Sequence, residues 1–358
     1  MNTIYNFSAG PAMLHPSVVK ATSDATVEFN DTGMSLMEMS HRSQPVVDMV
    51  NETEYLVRKL LKLTDDYRVL FLQGGASLQF CMIPMNLLRK DQTADYTNTG
   101  TWSQKAINEA KIYGNVNVVS SSKDSNYTYI PKEFDQSDNA RYLHLTSNNT
   151  IYGTQWSSFP SPKNETSFLV ADMSSDIFSR EFDISDFGLI YAGAQKNIGP
   201  AGVTLVIIKE SILKNIPKEI PTMMQYKTHI KKESMFNTPP VMSIYAVNRS
   251  LYWLDSIGGV SEMETKNRAK AKKLYEEIER NSLFRCPVNQ DDRSIMNIPF
   301  VFNDNLEELP FLEFCKDRGL YTLKGHRSVG GFRASIYNAM PEAGVDTLVQ
   351  AMQDYESK

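Results

Sequence analysis

Cysteine is scarce in this 358-residue chain. The three present, Cys81, Cys286 and Cys315, are too few and too scattered for a disulfide framework, a Cys-x-x-Cys redox pair or a zinc knuckle, and they read as core thiols. Basic runs are missing too. Lys and Arg number 37 against 42 Asp and Glu, a formal charge of −5, which points away from nucleic acid and membrane surfaces and towards small molecules as partners. No stretch approaches the roughly 20 apolar residues of a membrane span. The opening MNTIYNFSAGPAM has no charged segment followed by an apolar one, so a cytoplasmic location is expected. On that expectation the Asn-x-Ser/Thr triplets at 51–53 and 164–166 are chance matches, because they never meet glycosylation machinery. His15, His144 and His229 have no partners at metal-ligand spacing, so no metal is expected and none of the three is assigned chemistry.

What is present is a repeated order of short apolar strands and helices. RVLFL, ADYTN, VNVVSS, YLHLTS, SFLVAD, LIYAGA and VTLVIIK follow one another from Arg68 onward, separated by turns and helical segments. That order predicts a mainly parallel sheet between helices, an α/β architecture. Helical apolar spacing runs from Val46 to Leu63 and from Val241 to Ile257, and a charged helix over about Ser261–Asn281 carries the chain out of the sheet domain. After Cys286 come a strand IMNIPFVF, a helix ended by Gly319, a strand FRASIY and a final helix, an α+β unit of about 90 residues. The expected division is a large domain over 16–258 and a small α+β domain built from 1–15 and 259–358.

Within that frame DFGLIYAGAQKNIGPAG, Asp186–Gly202, places Lys196 just past a strand among small and amide residues. Desolvation at such a site lowers an amine's pKa and makes it a nucleophile for carbonyls, although a lysine in a glycine-rich hairpin loop satisfies the same pattern. SFLVADMSS ends a strand on Asp172, where α/β proteins point side chains into the ligand crevice; a turn cap is the plainer alternative. Together an Asp and a Lys at neighbouring strand ends fit pyridoxal phosphate (PLP) chemistry, the lysine holding the cofactor and the acid keeping its ring nitrogen protonated. The turn Gln73-Gly74-Gly75-Ala76-Ser77 sits between strand and helix, where backbone N–H groups receive an anion such as a cofactor phosphate. It matches neither GxGxxG nor GxxxxGK[ST]. Trp102 opens the next helix, placed either to stack on a flat ring or to fill the core. The pairs His41-Arg42 and His326-Arg327, with Arg333, read as donors for a doubly charged or phosphorylated substrate, or singly as surface ion pairs.

These motifs together resemble the phosphoserine aminotransferase family, fold-type I PLP-dependent enzymes of the class V aminotransferase group. The likeness covers essentially the whole chain through NFSAGPAML (6–14), MEMSHRS (37–43), TADYTNTGTWS (93–103), IYAGAQKNIGPAG (190–202), SMFNTPP (234–240) and KGHRSVGGFRASIYNAMP (324–341). The resemblance implies that Lys196 holds PLP, Asp172 pairs with the pyridine nitrogen, Trp102 stacks on the ring and Thr150 lies beside it. It implies a phosphate site of Ala76, Ser77, Ser174 and Gln195, joined by Asn237 and Thr238 of a second subunit. The substrate anions fall to His326, Arg327, Arg333 and a neighbour's His41 and Arg42, so a homodimer with shared active sites is implied. The expected reaction is ping-pong exchange between L-glutamate and 3-phosphonooxypyruvate, giving 2-oxoglutarate and O-phosphoserine for serine biosynthesis. A related step in pyridoxine biosynthesis is a further expectation. The rivals are an aminotransferase for a non-phosphorylated 2-oxo acid and a non-catalytic binding protein on the same fold. Two departures from the family pattern stand out: GGASLQF has Ser77 where some members carry arginine, and TSNNTIYG around Thr150 lacks the proline and acid of the usual PNETI.

Overall fold

Seven strands form the central sheet of the computed structural model, which describes residues 3–214, 217, 219–304 and 306–358. Residues 1 and 2 of the expected small domain lie outside these. The chain begins with β1 (Tyr5–Asn6), α1 (Pro16–Val27) and α2 (Gln44–Leu61). The strand and helix alternation then follows: β2 (Tyr67–Leu72), α3 (Gly75–Leu87), β3 (Thr93–Asn98), α4 (Thr101–Ala110), β4 (Asn115–Ser121), β5 (Leu143–Thr146), β6 (Leu169–Asp172), β7 (Phe187–Gly193) and β8 (Thr204–Lys209). Helices α5 (Tyr226–Lys231), α6 (Val241–Ser256) and α7 (Gly259–Arg280) lead to β9 (Phe284–Arg285), β10 (Asn297–Phe302), α8 (Glu308–Lys316), β11 (Leu320–Tyr321), β12 (Phe332–Ser335) and α9 (Glu342–Glu356).

Strand order in the large sheet is β2-β8-β7-β6-β5-β3-β4. The strands β7, β6, β5, β3 and β4 pair in parallel, whereas β8 runs antiparallel to both β7 and β2. Helices cover both faces, so successive strand residues enter opposite cores: Val69 and Phe71 lie in one, Leu70 and Leu72 in the other, and likewise Ile190 and Ala192 against Leu189 and Tyr191. This double burial is why β6 and β7 read as unbroken apolar runs. On α2 the buried residues Val46, Met49, Val50, Thr53, Leu56, Val57 and Leu60 keep the three-and-four spacing of one helical face. Helix α1 gave no such signal, because only Val18 and Ala25 of its twelve residues are buried. The core-thiol reading holds fully only for Cys315; Cys81 and Cys286 are half-buried, and all three are free.

A second core gathers Phe7, Phe284, Phe300, Phe302, Phe311 and Phe332 with the inner face of α9. Its sheet is antiparallel, β12-β10-β9, and β1 pairs in parallel with β11, which ties the N-terminal strand to this unit. Helix α7 belongs to both cores, with Val260 and Met263 in the first and Ala271, Leu274 and Ile278 in the second. Where it crosses between them, buried Lys270 donates to the carbonyls of Ile336 (3.1 Å), Tyr337 (2.8 Å) and Met340 (3.0 Å). Asn338 continues the seam: its N–H donates to Asn197 Oδ1 at 3.0 Å, one residue from Lys196. The seam therefore joins the small core to the loop that carries the candidate nucleophile.

Candidate active site

Parallel pairing of β6 with β7 sets Asp172 beside Tyr191, so the two strands end at one level and open into one crevice. Lys196 lies in the turn between β7 and β8, half-buried, and this turn is anchored by Gly193 N–H donating to Ser174 Oγ (3.0 Å). Its Nζ donates to Thr150 Oγ1 at 2.8 Å and sits 5.4 Å from the Trp102 ring centroid. Desolvation by burial pushes the ammonium below its ordinary pKa; the Asp172 carboxylate opposes that, Arg333 adds to it, and Asp176 opposes it again. An amine poised this way is a better nucleophile and proton acceptor than a surface lysine.

Asp172 is buried, and its Oδ1 accepts from the Ser174 N–H (3.0 Å) and Ser174 hydroxyl (2.6 Å). The turn-cap alternative is thus real, but it engages one oxygen of the carboxylate. Gly74 caps α3 with φ +85°, and a Cβ there would lie 2.5 Å from Leu78 Cδ2, so only glycine lets the strand turn this tightly into the helix. The turn presents Ala76 and exposed Ser77 at the N-terminus of a 13-residue helix. Trp102 stands in the first turn of α4, held by Ser103 Oγ, which accepts from the Thr99 and Gly100 N–H groups at 3.0 Å. Arg333 projects from β12 and donates to the Thr150 carbonyl at 3.2 Å.

One cavity of about 500 Å³ brings together Ala76, Ser77, Trp102, Thr150, Asp172 and Ser174. Gln195, Lys196, His326, Arg327 and Arg333 line it as well. Burial, then the charges of Arg333 and Arg327, push His326 below its ordinary pKa, so this imidazole is neutral at pH 7 in the ligand-free state. His41, Arg42, Asn237 and Thr238 are not among its lining. His41 is half-buried just before α2 with Nε2 lacking a partner among the described residues, and Arg42 is exposed. Asn237 lines a separate small cavity, and the Thr238 carbonyl accepts from Gln73 Nε2 at 3.0 Å. A roomier cavity of about 570 Å³ beside α2 and α6, lined by Asp48, Glu52 and Arg249, holds none of the candidate residues.

Sequence reasoning missed several lining residues. Gly10 has φ +144°, and a Cβ on it would come within 3.4 Å of Gln195 O and Lys196 Cγ, so the SAGPA segment packs on the stem of the lysine. Lys105 also reaches the cavity, its Nζ 4.7 Å from the Trp102 centroid; its place one turn after Trp102 on α4 was the available signal.

The lining fits PLP. The cavity has the size of a cofactor site, with a desolvated lysine, a buried carboxylate, a flat indole and a helix N-terminus converging on it. Two donors at its edge, Trp102 Nε1 and Arg333 Nε, are buried without a partner among the described residues. Among the described residues no cluster of metal-ligating side chains occurs, and no helix is long and apolar enough to cross a membrane.

Comparison with known proteins agrees. The family model for aminotransferase class-V matches residues 4–348. The chain is 52% identical to the phosphoserine aminotransferase of Parabacteroides distasonis over 99% of each chain. It is 50% identical to that of Phocaeicola vulgatus over 98% of each. Among solved structures it is similar to phosphoserine aminotransferase from Bacillus circulans subsp. alkalophilus (TM-score 0.96, 47% identity, 99% of this chain and 98% of that one). An alanine–glyoxylate aminotransferase from Nostoc shares the fold alone, at 15% identity and TM-score 0.75 over 99% of this chain and 95% of that one.

Proposed function

Since the chain belongs to the phosphoserine aminotransferases of the aminotransferase class-V family, we infer that the cavity around Lys196 exchanges an amino group between L-glutamate and 3-phosphonooxypyruvate, forming 2-oxoglutarate and O-phosphoserine. The observation that carries this reading is the meeting of Lys196 and Asp172 with His326, Arg327 and Arg333 in one cavity. PLP, when bound, supplies an aldehyde and an electron-accepting ring. Lys196 holds the cofactor between turnovers and, once free, its amine moves the proton at the substrate Cα, with Thr150 Oγ1 fixing its position. Asp172 would hold the proton at the ring nitrogen, Trp102 would pack on the ring, and Ser77, Ser174 and Gln195 would receive the cofactor phosphate with the N–H groups opening α3. His326, Arg327 and Arg333 neutralise the substrate's phosphate and carboxylate, Arg333 through a guanidinium already oriented on the Thr150 carbonyl.

A second copy of the chain completes the site in this reading, offering His41 and Arg42 to the substrate and Asn237 and Thr238 to the cofactor phosphate. The unpartnered His41 Nε2 and the absence of all four residues from their own chain's cavity support it. A large domain over 16–258 and a small one from 1–15 and 259–358 belong to the same proposal. A cytoplasmic biosynthetic role, with a second phosphorylated substrate in pyridoxine synthesis, belongs to the same proposal.

Two measurements test it. The visible absorbance of PLP-loaded protein should fall when phosphoserine is added and return with 2-oxoglutarate, while alanine and cysteine leave it unchanged; bleaching by alanine instead would assign the cations to another acid. Phosphoserine binding should also take up a proton. His326 is neutral at pH 7 in the free site, a bound dianion raises its pKa, and between the two values the complex holds a proton that the free protein lacks. Affinity therefore falls as pH rises through that window. Calorimetry in buffers of differing ionisation enthalpy should register the uptake for the native chain and lose it for His326→Asn; equal uptake in both would remove His326 from the anion site.

A further inference from the structure

His144, which the sequence left without a role, lies in the same sheet face as the candidate acid. The register pairs Thr146 with Asp172 and Asp172 with Tyr191, so His144, Asp172 and Tyr191 point to one side of the sheet. All three are buried, His144 and Tyr191 almost completely. His144 Nε2 is 3.0 Å from the Tyr191 hydroxyl, and its ring stacks on Tyr96 with centroids 4.7 Å apart. The Tyr191 phenol and the Asp172 carboxylate are register partners on neighbouring strands, and the acid's charge adds to the burial that pushes the phenol above its ordinary pKa.

The direction of this chain follows from what is left unpaired. Burial pushes the imidazole down to about 3, so it is neutral and carries one N–H. Its Nδ1 is buried with no partner among the described residues. An orphaned N–H costs more than an orphaned lone pair, so the proton sits on Nε2 and is donated to the Tyr191 oxygen. Tyr191 then has its own O–H free to donate, and the carboxylate beside it has only Oδ1 engaged by Ser174.

We propose that His144 and Tyr191 are positioning residues that hold the Asp172 carboxylate in place for the cofactor's ring nitrogen, through a directed chain from imidazole N–H to phenol to carboxylate. The inference rests on the role of Asp172 given above. Neither group touches the substrate. Both act by supplying a buried carboxylate with a donor it would otherwise lack, which restricts its rotation.

Tyr191→Phe removes one oxygen and preserves core volume. Expected for the PLP-loaded variant are an about tenfold faster release of PLP on dilution, an about tenfold lower kcat and a KM for phosphoserine within about twofold of native, since a hydrogen bond to a charged group is lost. His144→Gln, whose amide carries a donor in place of Nε2–H, should stay near native, while His144→Leu should resemble Tyr191→Phe. The deciding comparison is PLP release in an Asp172→Asn background, where Tyr191→Phe should add nothing. A Tyr191→Phe protein with native release and kcat, or one whose effect persists undiminished beside Asp172→Asn, overturns the relay. If Asp172→Asn alone changes neither release nor turnover, the fault lies with the assignment of Asp172 itself.

Discussion

Replacing Lys196 by alanine is expected to abolish turnover between phosphoserine and 2-oxoglutarate while leaving the fold intact. The side chain is half-buried in a turn whose backbone is held by Ser174, by the Ala12 N–H donating to the Gln195 carbonyl and by the Asn197–Asn338 contact, none of which uses the amine. Its Nζ donates to Thr150 Oγ1 and faces the cavity, so the substitution removes chemistry rather than packing. General acid–base catalysis by a positioned side chain contributes about 10²–10⁴ in rate, and loss of the covalent hold on PLP adds to that. Turnover should therefore fall by at least ~10⁴-fold. Borohydride reduction followed by intact-protein mass should show PLP fixed to the native chain and not to the variant, which still binds it through the phosphate turn and Trp102. Full activity in Lys196→Ala would remove the central assignment.

Asp172→Ala is the second large effect. A carboxylate against a cation shifts the cation's pKa by about 1–3 units, so without Asp172 the ring nitrogen is protonated up to ~10³-fold less often at neutral pH. A loss of kcat on the order of 10³-fold is expected, with the KM for phosphoserine changing much less because the anion-binding cations lie elsewhere in the cavity. The vacated position also leaves the Ser174 N–H and hydroxyl without their acceptor, so some stability goes with it. Asp172→Glu should recover part of the rate, because charge survives and reach does not. A near-normal rate in Asp172→Ala, measured by steady-state transamination, would argue against the ring-nitrogen role.

The positions of Lys196 and Asp172 were legible because each follows a short apolar run that reads as a strand, and crevices in α/β sheets form at strand ends. The Gly74–Ser77 turn was legible for a related reason: a glycine that must adopt φ +85° marks where strand becomes helix. His326, Arg327 and Arg333 were legible as candidate anion donors by type. Their convergence on Thr150 and Lys196 was not, because β12 enters that cavity from a different core, more than a hundred residues later in the chain. Gly10 and Lys105 carried almost no local signal, and Thr150 sits in a motif whose surroundings differ from the usual pattern. The hydrogen bond from Lys196 answers where its side chain lies.

Periodicity and turn chemistry, which act over a few residues, were thus enough to determine the alternating α/β order and the strand ends that open into the cavity. Register and packing join residues far apart in the chain, and they alone decided that β8 runs antiparallel beside β7, that SAGPA rests on the lysine stem, and that His144 and Tyr191 stand behind Asp172. No local pattern encodes these, since a buried histidine looks the same in sequence whether its neighbour across the sheet is an aliphatic side chain or a phenol.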